Sequence, residues 1–304
     1  MFASTHLRHR DWAPASAGVV SGNGNVGAML LLLLLLFLPT PAHARPADLT
    51  VMTFNVRVPV ASDGANDWPH RRALMAQTIR RARPDVIGMQ ELHAAQAADL
   101  IAQLPGYRWF GRDRRGGHGD EHMGIFYRTD RWRVEADGDF WLSDTPGVPG
   151  SITWGHPYPR MVSWGRFVGS DGTHRFTLFN THLPYRIDDE VARERGARLI
   201  AARVAATPGP VVLTGDFNTV AESPTHAVLA GTLTDAWQVA FRKKGPAATF
   251  HGFTGTPDRR LDWIWTRGLV PMKVRTLTDH RGALYPSDHF PVVAELAWPL
   301  PKGA

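Results

Sequence analysis

The chain has 304 residues, of which 43% are hydrophobic and 20% charged, with a formal net charge of +6 and no cysteine. That composition excludes wholesale disorder, thiol nucleophiles and cysteine-ligated zinc, and it provides material for one large core without disulfides. The positive surplus suits attraction of a phosphate-bearing ligand but lacks the concentration of a dedicated nucleic-acid binder.

His6, Arg8, His9 and Arg10 precede a leucine-dominated run from Ala28 to Leu38, and Ala42-His43-Ala44 follows. A charged start, a short apolar stretch and an A-x-A site predict a signal peptide over residues 1–44 and a mature single domain over 45–304. The apolar run is too short for an ordinary membrane span, the alternative being an uncleaved anchor. Export to a periplasmic or secreted location is expected. Cleavage leaves 32 basic and 27 acidic residues, a formal +5.

Leu49 to Val56 is rich in β-formers and predicts a buried strand ending near Asn55. Asp67 before Trp68-Pro69 is an N-cap with proline in the first turn, so a helix runs from there to Pro84. Val86 to Met89 is the next strand and delivers Gln90-Glu91. A helix over Ala94 to Leu104, a polar glycine-rich loop over Arg112 to Gly119, and strands over Met123 to Arg128 and Arg131 to Leu142 follow, with Glu121 just before the first of these. Thr145 to Pro159 fits neither period and predicts a long loop suited to substrate contact. Met161 to Val168 and Arg175 to Leu183 predict a hairpin across Ser170-Asp171-Gly172, with Asn180 and His182 on one face.

Asp188 to Ala206 reads as a helix and returns the chain to Val211 to Asn218. There an apolar run stops in Gly215-Asp216-Phe217-Asn218, which presents a carboxylate and a carboxamide at a strand end. Ser223-Pro224 starts a short helix, and Thr249 to Phe253 is a short extended piece. Arg260 to Trp265 is a strand that carries Asp262 between Leu261 and Trp263, a costly placement unless the charge is compensated. Tyr285 to His289 is a turn feeding a last strand, Phe290 to Leu296. Strands follow one another too often for a doubly wound sheet, so the pattern predicts an α/β sandwich.

Strand ends thus supply Asn55, Glu91, His182, Asp216, Asn218, Asp262, Asp288 and His289. Oxygen donors with few nitrogens suit Mg2+ or Mn2+ better than zinc. Carboxylates orient or deprotonate water, amides hold it or a phosphoryl oxygen, and imidazoles neutralise or protonate, a set appropriate to phosphoester hydrolysis.

Six segments, TFN at Asn55, MQE at Glu91, NTH at His182, GDFN at Asp216, RLDWI at Asp262 and SDHFP at Ser287, together resemble the endonuclease/exonuclease/phosphatase superfamily of DNase I, exonuclease III and sphingomyelinase-like enzymes. The resemblance implies a four-layer α/β/β/α sandwich with the site at one end of two packed sheets. It implies that Glu91 is the principal metal ligand with Asn55 and Asp288 nearby, and that Asp216 and Asn218 position nucleophile and phosphate. It further implies that His289 is held by Asp262. A glutamate seven residues before a strand arginine, matched by Glu121 and Arg128, supports the second histidine in DNase I-like members, so Glu121 is expected to orient His182. The expected activity is Mg2+- or Mn2+-dependent hydrolysis of a phosphodiester or nucleic acid by a monomer. The alternatives are a phospholipase C-like enzyme acting on lipid headgroups and a non-catalytic binding protein. Nucleic acid, nucleotide and phospholipid headgroup are the partner classes in view.

Overall fold

The computed structural model describes residues 48–300; the expected signal segment, 1–44, lies outside the described residues. Two mixed sheets pack face to face. The first has seven strands in the order Arg242–Lys244 (β10), Val270–Thr276 (β12), Val292–Ala297 (β13), Leu49–Asn55 (β1), Val86–Gln90 (β2), Ile125–Arg128 (β4) and Tyr107–Phe110 (β3). The second has six, Trp132–Trp141 (β5), Met161–Gly169 (β6), Arg175–His182 (β7), Val211–Asp216 (β8), Asp262–Arg267 (β11) and Thr234–Asp235 (β9). β1 runs parallel to β2 and β7 parallel to β8, so the ends of these four strands deliver their residues together.

Helices complete the layers. Trp68–Ala82 (α1) and Ala94–Gln103 (α2) cover the first sheet, burying Met75, Ile79 and Leu100 against Met52, Phe54 and Ile87. Glu190–Ala206 (α3) and Pro224–Ala230 (α4) cover the second, with Ala197, Ile200 and Leu229 against Phe179, Leu213 and Trp263. A short helix, Ala236–Val239 (α5), lies beside β11 and β12. Asp67 caps α1 by accepting from the His70 amide, and Arg83 ends it in a left-handed conformation just before Pro84.

The two-residue period of a strand explains how one core becomes a site. Leu49 and Val51 of β1, Phe176 and Leu178 of β7, Val212 of β8 and Ile264 of β11 form the apolar layer between the sheets. Continuing along the same faces brings in Thr53 and Asn55, Asn180 and His182, Thr214 and Asp216, and Asp262. Apolar pairing fixes the register, and the register aims the polar residues. Between the two zones the sheets approach closely at Gly88, where any Cβ would collide with Thr214 Oγ1 and Asn180 Oδ1.

Some boundaries differ from the sequence reading. Thr249 to Phe253 makes only single bridges, Phe250 pairing with Arg259 and His289, because the segment turns at Phe253, whose φ is +63°. The strand expected over Arg260 to Trp265 begins at Asp262, so this residue opens β11 at the site end rather than interrupting its interior. β12 escaped recognition because Pro271 argues against a strand; the ladder accommodates it with a bulge between Pro271 and Lys273.

Candidate active site

Register alone aligns three site residues. His182 sits opposite Asp216 across the parallel β7–β8 pair, and Asp262 sits opposite Asp216 across the antiparallel β8–β11 pair. On the facing sheet Asn55 is paired with Gln90, and Glu91 follows with a φ of +59°, a backbone strain that turns its side chain off the strand. Asn218, two residues beyond β8, is also left-handed at φ +51°.

Beneath these groups the sheets are bonded through a buried polar layer. Gln90 Nε2 donates to Asn180 Oδ1 at 2.7 Å, Asn180 Nδ2 donates to the Met89 carbonyl at 2.7 Å, and Thr214 Oγ1 donates to Asn180 Oδ1 at 3.1 Å. This layer fixes both sheets relative to one another at the floor of the site.

Above it, Asn55 Nδ2 donates to Glu91 Oε1 at 3.0 Å and to Asp216 Oδ2 at 2.9 Å, while Asn55 Oδ1 accepts from the Arg57 amide at 3.0 Å. The second Glu91 oxygen accepts from the Val58 amide at 3.0 Å. His289 Nδ1 lies 2.8 Å from Asp262 Oδ2, and its Nε2 is 3.8 Å from Asp216 Oδ2. His182 Nε2 stands 3.5 Å from the same Asp216 oxygen. The Asn218 amide donates to Asp216 Oδ1 at 3.0 Å, and its side-chain nitrogen donates to the Leu183 carbonyl at 3.0 Å, leaving its side-chain oxygen free to face a ligand.

Burial splits the two imidazoles. It opposes the charge on His289, but the carboxylates of Asp262 and Asp216 outweigh it and hold this histidine well above its ordinary value. His182 is driven well below by burial, reinforced by Arg160, His289 and Arg114. One ring is therefore a cation and the other neutral at neutral pH. Burial pushes Asp216 up to about 7, against the His289 charge, and also raises Asp288, with Glu91 adding to it.

Glu91, His182, Asp216, Asn218, Asp288 and His289 line a cleft of about 480 Å³ whose other walls include Arg114, Arg160, Tyr158 and Tyr185 together with the apolar Phe250 and Leu261. Arg160 is fully buried there. Burial lowers it, its Nη1 has no hydrogen-bond partner, and it forms no ion pair among the described residues. Arg114 Nη1 holds Glu121 at 2.8 Å and its guanidinium stacks 4.5 Å from the Tyr158 ring centre.

The sequence profile of the Endonuclease/Exonuclease/phosphatase family matches residues 52–289, a span that starts in β1 and ends on His289. The chain belongs to the endonuclease/exonuclease/phosphatase family. A family member from Bacteroides vulgatus is 30% identical with a TM-score of 0.79, covering 83% of this chain and 99% of its own. A mannosyl-6-phosphatase from Bacteroides thetaiotaomicron is 33% identical with a TM-score of 0.77, covering 82% and 100%. TDP2 from D. rerio, complexed with a single-strand DNA product, shares the fold at 18% identity and a TM-score of 0.65, covering 82% and 98%. No curated protein matches the sequence. As a member of this family the protein is a phosphoester hydrolase.

Within the family frame, all nine residues singled out in the sequence reach this end of the sandwich, but two do not make the expected contacts. Glu121 does not orient His182: it is bound by Arg114, and His182 Nδ1 has no hydrogen-bond partner among the described residues. The seven-residue spacing to Arg128 carries no geometry, since Arg128 instead bonds Asp130 and Asp85. Asn55 presents its amide nitrogen to Glu91 and Asp216 and spends its oxygen on Arg57, so it ties carboxylates together rather than offering a metal an oxygen.

The remaining donors are grouped as a divalent cation requires. Ligand atoms of Glu91, His182 and Asp216 lie within 4.8 Å of one another, as do those of Asp216, Asp262 and His289. Carboxylates raised by burial and by each other are what a bound divalent charge would return to the ionised form. The sequence reading did not include Arg114, Tyr158, Arg160 or Tyr185 among the site residues. All four sit on irregular connections or at their edges, where no period marks which side chains turn inward.

Proposed function

We propose that the protein is a Mg2+- or Mn2+-dependent phosphomonoesterase acting on a small phosphorylated alcohol, in particular a sugar phosphate, with Glu91 and Asp288 holding the ion. Arg160 carries the reading. Among the described residues this buried guanidinium makes no close ion pair, only longer-range attraction from Glu121, Glu91 and Asp216, and those are carboxylates that a cation would draw on, leaving Arg160 to a ligand anion. A terminal phosphate, with about two negative charges near neutral pH against one for a diester, is the better match to metal and Arg160 together. The 33% identical mannosyl-6-phosphatase supports the same substrate class. This departs from the diester or nucleic-acid substrate expected from sequence.

The bound ion would polarise the phosphoryl group and lower the pKa of water near it. Asp216 accepts the proton as water oxygen bonds to phosphorus and the P–O bond to the alcohol breaks, the leaving oxygen taking a proton from solvent at the open cleft. The free Asn218 oxygen aligns that water. His289, kept protonated and oriented by Asp262, donates to a phosphoryl oxygen as charge accumulates. Arg160 binds a further phosphoryl oxygen.

Initial rates on glycerol phosphate, mannose 6-phosphate and bis-p-nitrophenyl phosphate test this. The monoesters are expected to give the higher kcat/KM, and Arg160→Gln to lower it more for monoesters than for the diester; faster turnover of the diester overturns the proposal. One observation favours a phospholipid headgroup instead: Ile187, two residues after the cleft-lining Tyr185, is 88% exposed. Release of phosphocholine from sphingomyelin vesicles would favour that reading. We also propose a monomer exported with cleavage at Ala44; an intact mass starting at Arg45 from the periplasmic or culture fraction checks the cleavage.

A further inference from the structure

Two tyrosines at the cleft take no part in the chemistry above. Tyr158 is 38% exposed and Tyr185 53% exposed, and their rings stack at 6.4 Å between centroids with planes 25° apart. Both line the cleft that holds Asp216 and His289. Two stacked rings that stay partly open beside a cleft present an amphipathic face to whatever binds there.

Their supports are built rather than incidental. Tyr158 rests on the Arg114 guanidinium, which is itself fixed by ion pairs to Glu121 at 2.8 Å and Asp120 at 3.0 Å. The Tyr158 carbonyl accepts from His156 Nδ1 at 2.6 Å. Next to Tyr185, Arg186 donates to the Gly155 carbonyl at 2.8 Å and is held by Asp189 at 2.7 Å, which ties the two tyrosine-bearing loops together. Neither tyrosine hydroxyl makes a hydrogen bond among the described residues, so both are available to a ligand.

We propose that Tyr158 and Tyr185 form an aromatic shelf on which the pyranose ring of the substrate stacks, and that this shelf sets a preference for hexose phosphates over acyclic phosphates. The inference rests on the phosphomonoesterase reading. At 6.4 Å the two rings are already in offset contact with each other, so they leave no slot for a flat base to slide between and offer an outer face only. A pyranose presents an apolar C–H face to such a surface and hydroxyls at its rim. The free tyrosine hydroxyls and the polar cleft walls suit those hydroxyls, while the phosphate reaches Arg160 and the carboxylates.

Steady-state kinetics on mannose 6-phosphate, glycerol 3-phosphate and a nucleoside 5′-monophosphate test this with wild type, Tyr185→Ala, Tyr185→Phe and Tyr158→Ala. In Tyr185→Ala the ratio of kcat/KM for mannose 6-phosphate to that for glycerol 3-phosphate is expected to fall roughly tenfold, through KM rather than kcat. Tyr185→Phe, which keeps the ring, should retain most of the ratio. Tyr158→Ala should move it the same way, with circular dichroism checking that the Arg114 network still folds. An unchanged ratio, an equal loss on both substrates, or a loss confined to the nucleotide overturns the shelf while leaving the monoesterase reading intact. Failure of wild type to turn over either monoester, with the diester hydrolysed, overturns both.

Discussion

His289 and Asp262 come from segments 27 positions apart, yet the imidazole Nδ1 meets the carboxylate at 2.8 Å with both side chains buried. The contact arises because Asp262 opens β11 beside Asp216, while the turn before β13 swings His289 across the mouth of the same sheet. Asp262→Asn keeps the shape and removes the charge that holds the ring protonated. We predict that Asp262→Asn and His289→Ala each lower kcat by roughly two to four orders of magnitude, and that the double variant is little worse than His289→Ala. Additive losses, or normal kcat with a lowered melting point in Asp262→Asn, would assign the aspartate to structure alone.

We predict metal dependence centred on Glu91, whose two oxygens are oriented by Asn55 and the Val58 amide. Chelation with EDTA should abolish turnover and Mg2+ or Mn2+ should restore it. Glu91→Gln should raise the Mg2+ concentration needed for half-maximal rate by roughly ten- to a hundredfold, with an unchanged circular dichroism spectrum. Full activity after exhaustive chelation would refute the metal assignment.

The sheets approach so closely at Gly88 that Gly88→Ala must displace the Thr214 and Asn180 side chains. Overpacking at a rigid, hydrogen-bonded position should cost about 3 kcal/mol, read as a lowered urea midpoint. Because Asn180 and Gln90 form the floor of the site, activity should fall even under conditions where the variant is fully folded. A stability loss without any change in kcat/KM would detach the floor from catalysis.

Another buried acid, Asp235 on β9, is not part of the cleft lining. Burial raises Asp235, but bonds from His226 and Arg260 outweigh it and hold the carboxyl below its ordinary value. A depressed folded value stabilises the protein above the unfolded value of about 4 and loses that contribution as pH falls below it. Asp235→Asn should therefore cost about 3 kcal/mol at pH 7, where Arg260 is left unpaired, and should flatten the acid limb of the urea midpoint below pH about 4. An unchanged slope there would mean that the carboxyl is not linked to folding.

The sandwich was legible because its signal is redundant. An alternating strand that must bury one face also fixes where its terminal residue points, so strands ending in Asn55, His182 and Asp216 and the strand opening on Asp262 carried their own geometry. Loop residues have no such constraint. The Pro159-Arg160 step resembles a bacterial subgroup of the superfamily but carries no period that says where the side chain points; only the fold shows that Arg160 is buried with no close ion pair among the described residues. Glu121 failed for the complementary reason. Its spacing to Arg128 spans a loop and a strand start, and the nearer cation, Arg114, captures the carboxylate. Sheet edges were illegible where short pairing needs little pattern, as in the three-residue β10 and the two-residue β9.

The central strand of the first sheet is made first and completed last. β1 is paired along one edge with β2, but along the other with β13, Leu49 standing opposite Leu296. A chain still emerging from the ribosome therefore carries β1 with an open edge until the C-terminal segment is released, and the same segment brings Asp288 and His289. Neither the seven-stranded sheet nor the catalytic cluster can close halfway through synthesis. Until that last strand arrives the chain stays extensible, and the cluster lacks the two residues without which it hydrolyses nothing.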